Sequence, residues 1–143
     1  MSDSDLSELY QSIILSHNKQ PRHYGVLTGY THQAEGYNPL CGDKITVQLR
    51  VEGEQINEIQ FESAACAICK ASASIMTEAI RSKHLSEVQQ LGAHVAEILS
   101  TDRSTDLAED GDLAALAGVR KFPARIKCAI LPWHTLEDAL RGE

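Results

Sequence analysis

The spacing of apolar residues predicts helices at both ends of the chain and strands between them. Residues 4–17 repeat apolar side chains at helical spacing, with Leu6, Tyr10, Ile13 and Ile14 on one face. From residue 43 the period changes to two, because apolar side chains alternate with polar ones at Ile45, Val47, Leu49 and Val51. A turn at 53–54 and apolar residues at 59 and 61 predict the return strand of a hairpin. An earlier strand is expected at about 30–35.

The pattern after residue 63 is mostly helical. A first helix follows at once, and a second is expected to start near Ser86, where Ser86 and Gln89 have capping-box spacing. Residues 101–118 are polar and acidic, and we predict a surface insertion there with a turn at 110–111 and a short helix at 113–116. A final helix pair, broken at Pro132, is expected to end the chain. Strands followed by helices predict an α+β fold, a small antiparallel sheet packed against helices, in one domain over 1–143.

Charge and hydropathy narrow the classes of partner. The 143 residues carry a formal net charge of −7, so a nucleic-acid partner is not expected. The apolar runs are too short to cross a bilayer, so no membrane partner is expected. The first five residues are acidic where a signal peptide would be basic, and we therefore expect a cytoplasmic location.

Four cysteines, at 41, 66, 69 and 128, carry the candidate chemistry. In a cytosolic protein such a set indicates metal or sulfur chemistry more than disulfides. Cys41 and Asp43 flank a glycine in a predicted turn before a strand. Cys66 lies where a strand gives way to a helix, and a helix amino terminus favours the thiolate form. Cys128 has two cations within three residues, Arg125 and Lys127, which would also favour the thiolate.

Three thiolates and one carboxylate are enough for a four-coordinate zinc site. Thiolates are soft ligands and suit zinc better than magnesium, and no methionine-rich motif points to copper. The set would bring a formal charge of about −4 against the ion's +2, an excess that Arg125 and Lys127 could balance. Spacing alone leaves open whether the cysteines share one site or are separate small buried residues.

Three blocks of this sequence resemble the signature blocks of SufU-type proteins. These belong to the IscU/NifU-like iron–sulfur cluster assembly proteins and occur in many bacterial Suf systems. The blocks are Asn38-Pro39-x-Cys41-Gly42-Asp43, Cys66 followed by Ala71-Ser72-Ala73-Ser74-x-Met76, and Lys121-Phe122-Pro123-Ala124-Arg125-Ile126-Lys127-Cys128. IscU-type scaffolds carry a histidine directly before the third cysteine of the pattern, where this chain has Lys127. That difference, and the stretch at 101–118, favour the SufU-type branch.

The resemblance implies a zinc-dependent sulfur acceptor. The ion would be held by Cys41, Asp43, Cys66 and Cys128. A SufS-type cysteine desulfurase carrying a persulfide would dock, one of its histidines would displace Cys41 from zinc, and the freed thiolate would attack the persulfide's outer sulfur. Cys41 and Arg125 are thus the predicted catalytic residues. A downstream scaffold or reductant would take the sulfur, and we expect no turnover by this chain alone.

Alternative interpretations remain open from the sequence. A scaffold in the IscU manner would build a transient iron–sulfur cluster on Cys41, Cys66 and Cys128. A thiol oxidoreductase would use Cys66-x-x-Cys69, and a structural zinc module would need only the four ligands. Cys69 could compete for the metal, resolve a persulfide on Cys66 or simply pack, and we expect packing. We expect the histidines to be surface or capping residues; they are His17, His23, His32, His84, His94 and His134.

Overall fold

The computed structural model describes residues 3–40, 42–100 and 110–142, and side chains from residue 8 onward within the first helix. Helix and strand bounds are as follows: α1 Asp3–Lys19, β1 His32–Asn38, β2 Asp43–Glu52, β3 Gln55–Ala64, α2 Ala67–Ile80, α3 Leu85–Ser100, a 3₁₀ helix Gly111–Lys121, and α4 Pro123–Arg141. None of the described helices is long and apolar enough to cross a membrane.

The three strands form one antiparallel sheet in the order β1-β2-β3. The alternation that predicted β2 arises because successive side chains of a strand point to opposite faces of the sheet. Ile45, Val47 and Leu49 share the buried face and are at most 1% exposed. Gly53 makes the turn to β3 with a φ of +61°, a conformation that glycine adopts without strain. The predicted hairpin and the earlier strand are therefore confirmed, with β1 starting two residues later than expected.

Helix α2 lies at the centre of the helical layer. Its small residues from Ala71 to Ser74 are fully buried, which lets α1 and α4 pack closely against it. Helix α4 also packs across β1 and β2 and places Trp133 and Leu136 in the core. The sheet and helices share this core, so the predicted α+β class is confirmed.

Three sequence predictions about the helices need correction. Helix α4 is continuous through Pro132 rather than a broken pair, because Pro132 is buried and the helix is held by its packing on both sides. Helix α3 begins at Leu85, and the backbone N–H of His84 donates to the Glu87 carboxylate at 3.3 Å, so the predicted Ser86–Gln89 capping box is wrong.

The third correction concerns the predicted surface insertion at 101–118. Residues 101–109 lie outside the described residues. In the part that is described, the side chains from Leu113 to Leu116 are buried, and Leu113 and Leu116 belong to the main hydrophobic cluster. This part is core, because the apolar residues of the 3₁₀ helix face α1 and α3 despite the polar composition around them.

His17 is also not the surface residue that the sequence predicted. It is 1% exposed, and its Nδ1 lies 2.7 Å from Ser74 Oγ while its Nε2 lies 2.7 Å from Asp112 Oδ2. Ser74 Oγ also accepts the backbone N–H of Arg22 at 2.8 Å. His17 thus joins α1, α2 and the 3₁₀ helix, which explains how a polar ring is tolerated in the core.

Candidate metal centre

The turn at 38–42 leads directly into β2. Asn38 stabilises this turn with two hydrogen bonds. Its side-chain oxygen accepts the Leu40 N–H at 3.1 Å, and its backbone carbonyl accepts the Gly42 N–H at 2.8 Å. Gly42 has a φ of +74°, which favours glycine there. Cys41 itself lies outside the described residues, so its predicted roles as ligand and sulfur acceptor stay predictions.

Asp43 is a buried carboxylate at the start of β2, 1% exposed. Its Oδ1 accepts the backbone N–H of Cys66 at 2.8 Å, and its Oδ2 lies 3.5 Å from Cys66 Sγ. The carboxylate therefore faces the amino terminus of α2, where unpaired N–H groups and the helix dipole favour negative charge.

Cys66 is the N-cap residue of α2, as the change of period in the sequence predicted. Its Sγ accepts the backbone N–H of Cys69 at 3.5 Å. A sulfur in this position replaces the oxygen of the usual serine or aspartate cap.

Cys128 is fully buried in the second turn of α4. Its Sγ lies 4.0 Å from the carbonyl oxygen of Ala124. Pro123 occupies the first helical position, where its fixed φ suits the start of a helix and its missing N–H costs nothing. The short interval between this start and Cys128 brings the thiol to the helix end nearest the 38–42 turn.

Asp43, Cys66 and Cys128 come together as one group, which we call the metal centre. Their ligand atoms, one carboxylate oxygen and two sulfurs, all lie within 4.8 Å of one another. Zn–S bonds of about 2.3 Å would place two ligands of a tetrahedral ion about 3.8 Å apart. The group would close by about 1 Å at most to reach that spacing. Two thiols and a carboxylate thus fit zinc in both chemistry and size.

Arg125 is exposed beside the metal centre. Its pKa is raised above the usual value, first by a hydrogen bond to Cys128 and next by attraction to the Cys66 and Cys128 thiolates. The guanidinium therefore lies within reach of both sulfurs and offsets part of their charge. Next to it, a pocket of about 360 Å³ opens between the 38–42 turn and the start of α4, lined by Asn38, Leu40, Pro123, Ala124, Arg125 and Lys127.

Cys69 is fully buried and is not a member of the metal centre among the described residues. Its position in the core agrees with the expected packing role. A thiol oxidoreductase built on Cys66-x-x-Cys69 is disfavoured for two reasons. Cys69 is not accessible, and the strands ahead of the motif form an antiparallel meander instead of the βαβ unit of thioredoxin-like proteins.

The fold and this group of ligands agree with what known proteins show. The sequence profile of the NifU-like N-terminal domain family matches residues 9–129. The chain belongs to this family.

Relatives within the family carry two kinds of name. The chain is 37% identical over 141 residues to the zinc-dependent sulfurtransferase SufU of Bacillus subtilis, covering 99% of this chain and 95% of that protein. It is 36% identical over 141 residues to the iron–sulfur cluster assembly scaffold protein IscU of Streptococcus pyogenes, covering 99% of this chain and 88% of that protein.

A solved structure supports the same family fold. SufU of Fervidobacterium islandicum AW-1, described as a candidate scaffold protein for the SUF system, superposes with a TM-score of 0.84 at 30% identity. The match covers 93% of this chain and 97% of that one. The sequence resemblance to SufU-type proteins is confirmed by these findings.

Proposed function

We propose that this chain is a zinc-dependent sulfur acceptor that takes sulfur from the persulfide of a cysteine desulfurase during iron–sulfur cluster assembly. The observation that carries the proposal is the convergence of Asp43, Cys66 and Cys128, whose ligand atoms lie within 4.8 Å of one another. Cys41, two residues before Asp43, is the fourth ligand in this proposal, because structural-type zinc sites take four protein ligands.

Zinc, when bound, keeps its cysteine ligands deprotonated and so maintains a reactive sulfur at neutral pH. The other interactions at the metal centre come from residues of the chain. The backbone N–H of Cys69 donates to Cys66 Sγ, and the Arg125 guanidinium interacts with Cys66 and Cys128. Leu40 and Asn38, which precede Cys41 in the sequence, line the pocket next to Arg125, where a partner's persulfide could enter.

The transfer step is a thiol–disulfide-type exchange at the outer sulfur of the persulfide. The Cys41 thiolate attacks that sulfur, one S–S bond forms as another breaks, and the desulfurase cysteine leaves as a thiolate. The proton of the outer sulfur stays on it, and no net oxidation occurs. In this proposal Arg125, which interacts with Cys66 and Cys128, also offsets negative charge on the sulfurs during the exchange.

The surface beside the metal centre suits a protein partner. Leu40 is 81% exposed and Phe122 is 58% exposed, and large exposed apolar residues of this kind mark interaction surfaces when they cluster. The partner we propose is a SufS-type cysteine desulfurase, with a downstream scaffold or reductant as the recipient of the sulfur. A cytoplasmic location is part of the same proposal.

The scaffold function is the second candidate, because relatives of nearly equal identity carry that name. In that case, Cys41, Cys66 and Cys128 would hold a nascent cluster instead of zinc. The presence of Lys127 before Cys128, where IscU-type scaffolds have histidine, favours the acceptor. Iron and sulfide supplied to the metal-free protein would give a stable cluster absorbance with a scaffold, and would not with the acceptor.

The experiment that tests the proposal measures alanine release by the desulfurase in the presence of each variant. Wild type should contain about one zinc per chain and stimulate release. Cys41→Ala removes the nucleophile and should abolish stimulation, while the matched control Cys69→Ser, at a buried position outside the metal centre, should keep both zinc and stimulation. Stimulation by Cys41→Ala at the wild-type level would reject the proposal.

A further inference from the structure

A buried hydroxyl connects the two helices that carry the thiols. Ser72, fully buried in α2, donates to the carbonyl oxygen of Ala129 at 2.6 Å and accepts the indole N–H of Trp133 at 3.2 Å. Both partners belong to α4, and Ala129 directly follows Cys128. Ser72 itself lies in the helix that starts after Cys66, so one side chain ties together the elements that carry both sulfurs.

The bond lies one turn before the proline inside α4. Pro132 has no backbone N–H, so it cannot make the helical hydrogen bond to the carbonyl of Cys128, four residues earlier. The turn that holds Cys128 therefore has one backbone bond fewer than a regular helix. The next carbonyl along, that of Ala129, is the one that receives the Ser72 hydroxyl.

We propose that Ser72 is a positioning residue of the metal centre: its hydroxyl holds the proline-weakened turn of α4 against α2 and so fixes the separation of Cys66 and Cys128. The inference rests on the proposed function, because it assumes that these thiols hold zinc. Ser72 acts through the backbone of Ala129 and the indole of Trp133. Loss of a group that hydrogen-bonds directly to a ligand commonly weakens metal binding by about 10–100-fold. Ser72 acts one residue further out, so the lower end of that range is expected.

A second buried serine of α2, Ser74, supplies a matched control. Ser74 is also fully buried and satisfied, but its partners are His17 and the backbone of Arg22, on the side of α1. Loss of either hydroxyl should lower the melting temperature, because each leaves buried polar groups without a partner. Only the loss of the Ser72 hydroxyl should change the metal centre.

The test is zinc affinity, measured on the purified full-length chain by competition with a chromophoric chelator. Ser72→Ala should weaken zinc binding by about 10-fold or more, and Ser74→Ala should leave it within about 2-fold of wild type. The thiolate-to-cobalt absorption of the Co²⁺-substituted protein should shift in Ser72→Ala alone. Equal affinity in Ser72→Ala and wild type, or equal losses in the two serine variants, would overturn the inference.

Pro132→Ala probes the reason for the effect, since alanine restores the backbone N–H that proline lacks. In the Pro132→Ala background, Ser72→Ala should lower zinc affinity less than it does in wild type. An equal loss of affinity in both backgrounds would contradict the idea that the Ser72 bond offsets the hydrogen bond that Pro132 cannot make. If Ser72→Ala does not fold, Trp133→Phe provides a second test, because it removes the indole N–H that Ser72 accepts, together with part of a buried side chain. It should weaken zinc binding, and unchanged affinity would count against the inference. A wild type without zinc would instead reject the proposed function.

Discussion

Asp43 has two contributions that substitution can separate, a hydrogen bond in the metal-free fold and a negative charge in the metal centre. Its Oδ1 accepts the Cys66 N–H at 2.8 Å in a setting that is 1% exposed. A hydrogen bond to a charged group contributes about 1.5–3 kcal/mol to the free energy of unfolding. Asp43→Ala removes both contributions, whereas Asp43→Asn keeps an oxygen that can accept the same N–H.

In the presence of a chelator, Asp43→Ala should therefore lose about 1.5–3 kcal/mol of stability. For a chain of this length that corresponds to a fall in melting temperature of about 5–10 °C. Asp43→Asn should lose clearly less. Zinc affinity should not separate the two variants as stability does. Both should bind zinc at least about 100-fold more weakly than wild type, because both lack the anionic ligand. That factor is the upper end of the range for outer-shell partners.

The assays are thermal unfolding of the metal-free protein in excess chelator, and zinc affinity measured by competition with a chromophoric chelator. Asp112→Asn is the control, since Asp112 also accepts a hydrogen bond across helices but has its partner in His17; its zinc affinity should match wild type. Wild-type zinc affinity in Asp43→Asn would refute Asp43 as a ligand. Equal metal-free losses in Asp43→Asn and Asp43→Ala would refute the hydrogen-bond reasoning.

Three further predictions address the surroundings of the metal centre. Arg125→Gln should keep zinc but slow sulfur transfer from the desulfurase, because the guanidinium interacts with Cys66 and Cys128. Lys127→Gln should slow the transfer less. A larger effect of Lys127→Gln than of Arg125→Gln in a single-turnover assay would count against the role of Arg125. Gly36→Ala should destabilise the chain by about 1–3 kcal/mol in chemical unfolding, because the new Cβ would overlap Thr135 Oγ1 where β1 crosses α4; unchanged stability would contradict that packing. His17→Phe should cost about 1–3 kcal/mol with zinc affinity unchanged, since the ring bridges Ser74 and the 3₁₀ helix away from the thiols; weaker zinc binding in the competition assay would show that the two networks are coupled.

Local periodicity was sufficient for the sheet and for the start of α2. The alternation from Ile45 to Leu49 reflects one buried and one partly exposed face, which is a property of each strand alone. The change from period two to helical spacing placed Cys66 at a helix start, and the cap geometry there agrees.

The exceptions are places where tertiary packing decides the local structure. Pro132 reads as a helix break in isolation, but α4 continues because Trp133, Leu136 and Ala139 beyond it are buried in the core. The acidic residues before the 3₁₀ helix made this part of the sequence look like a surface segment. Its Leu113 and Leu116 nevertheless belong to the core. Neither outcome can be read from a window of sequence.

The metal centre was only partly accessible from the sequence. The resemblance to SufU-type proteins named the ligands, while their meeting point depends on how α2 and α4 pack against β2. The bonds of Ser72 and His17 connect positions 57 to 95 residues apart, and no periodicity links such pairs. The run of small residues from Ala71 to Ser74 gave one usable signal, since serines within a buried helix need partners.

Mass spectrometry of the persulfide adduct is the most direct test of the account. After incubation with the desulfurase and cysteine, and digestion without reductant, the account predicts an increase of about 32 Da, the mass of one sulfur atom, on the peptide that contains Cys41. Cys66, Cys69 and Cys128 should carry none. An adduct on any of those three cysteines, with Cys41 unmodified, would contradict the assignment of Cys41 as the sulfur acceptor.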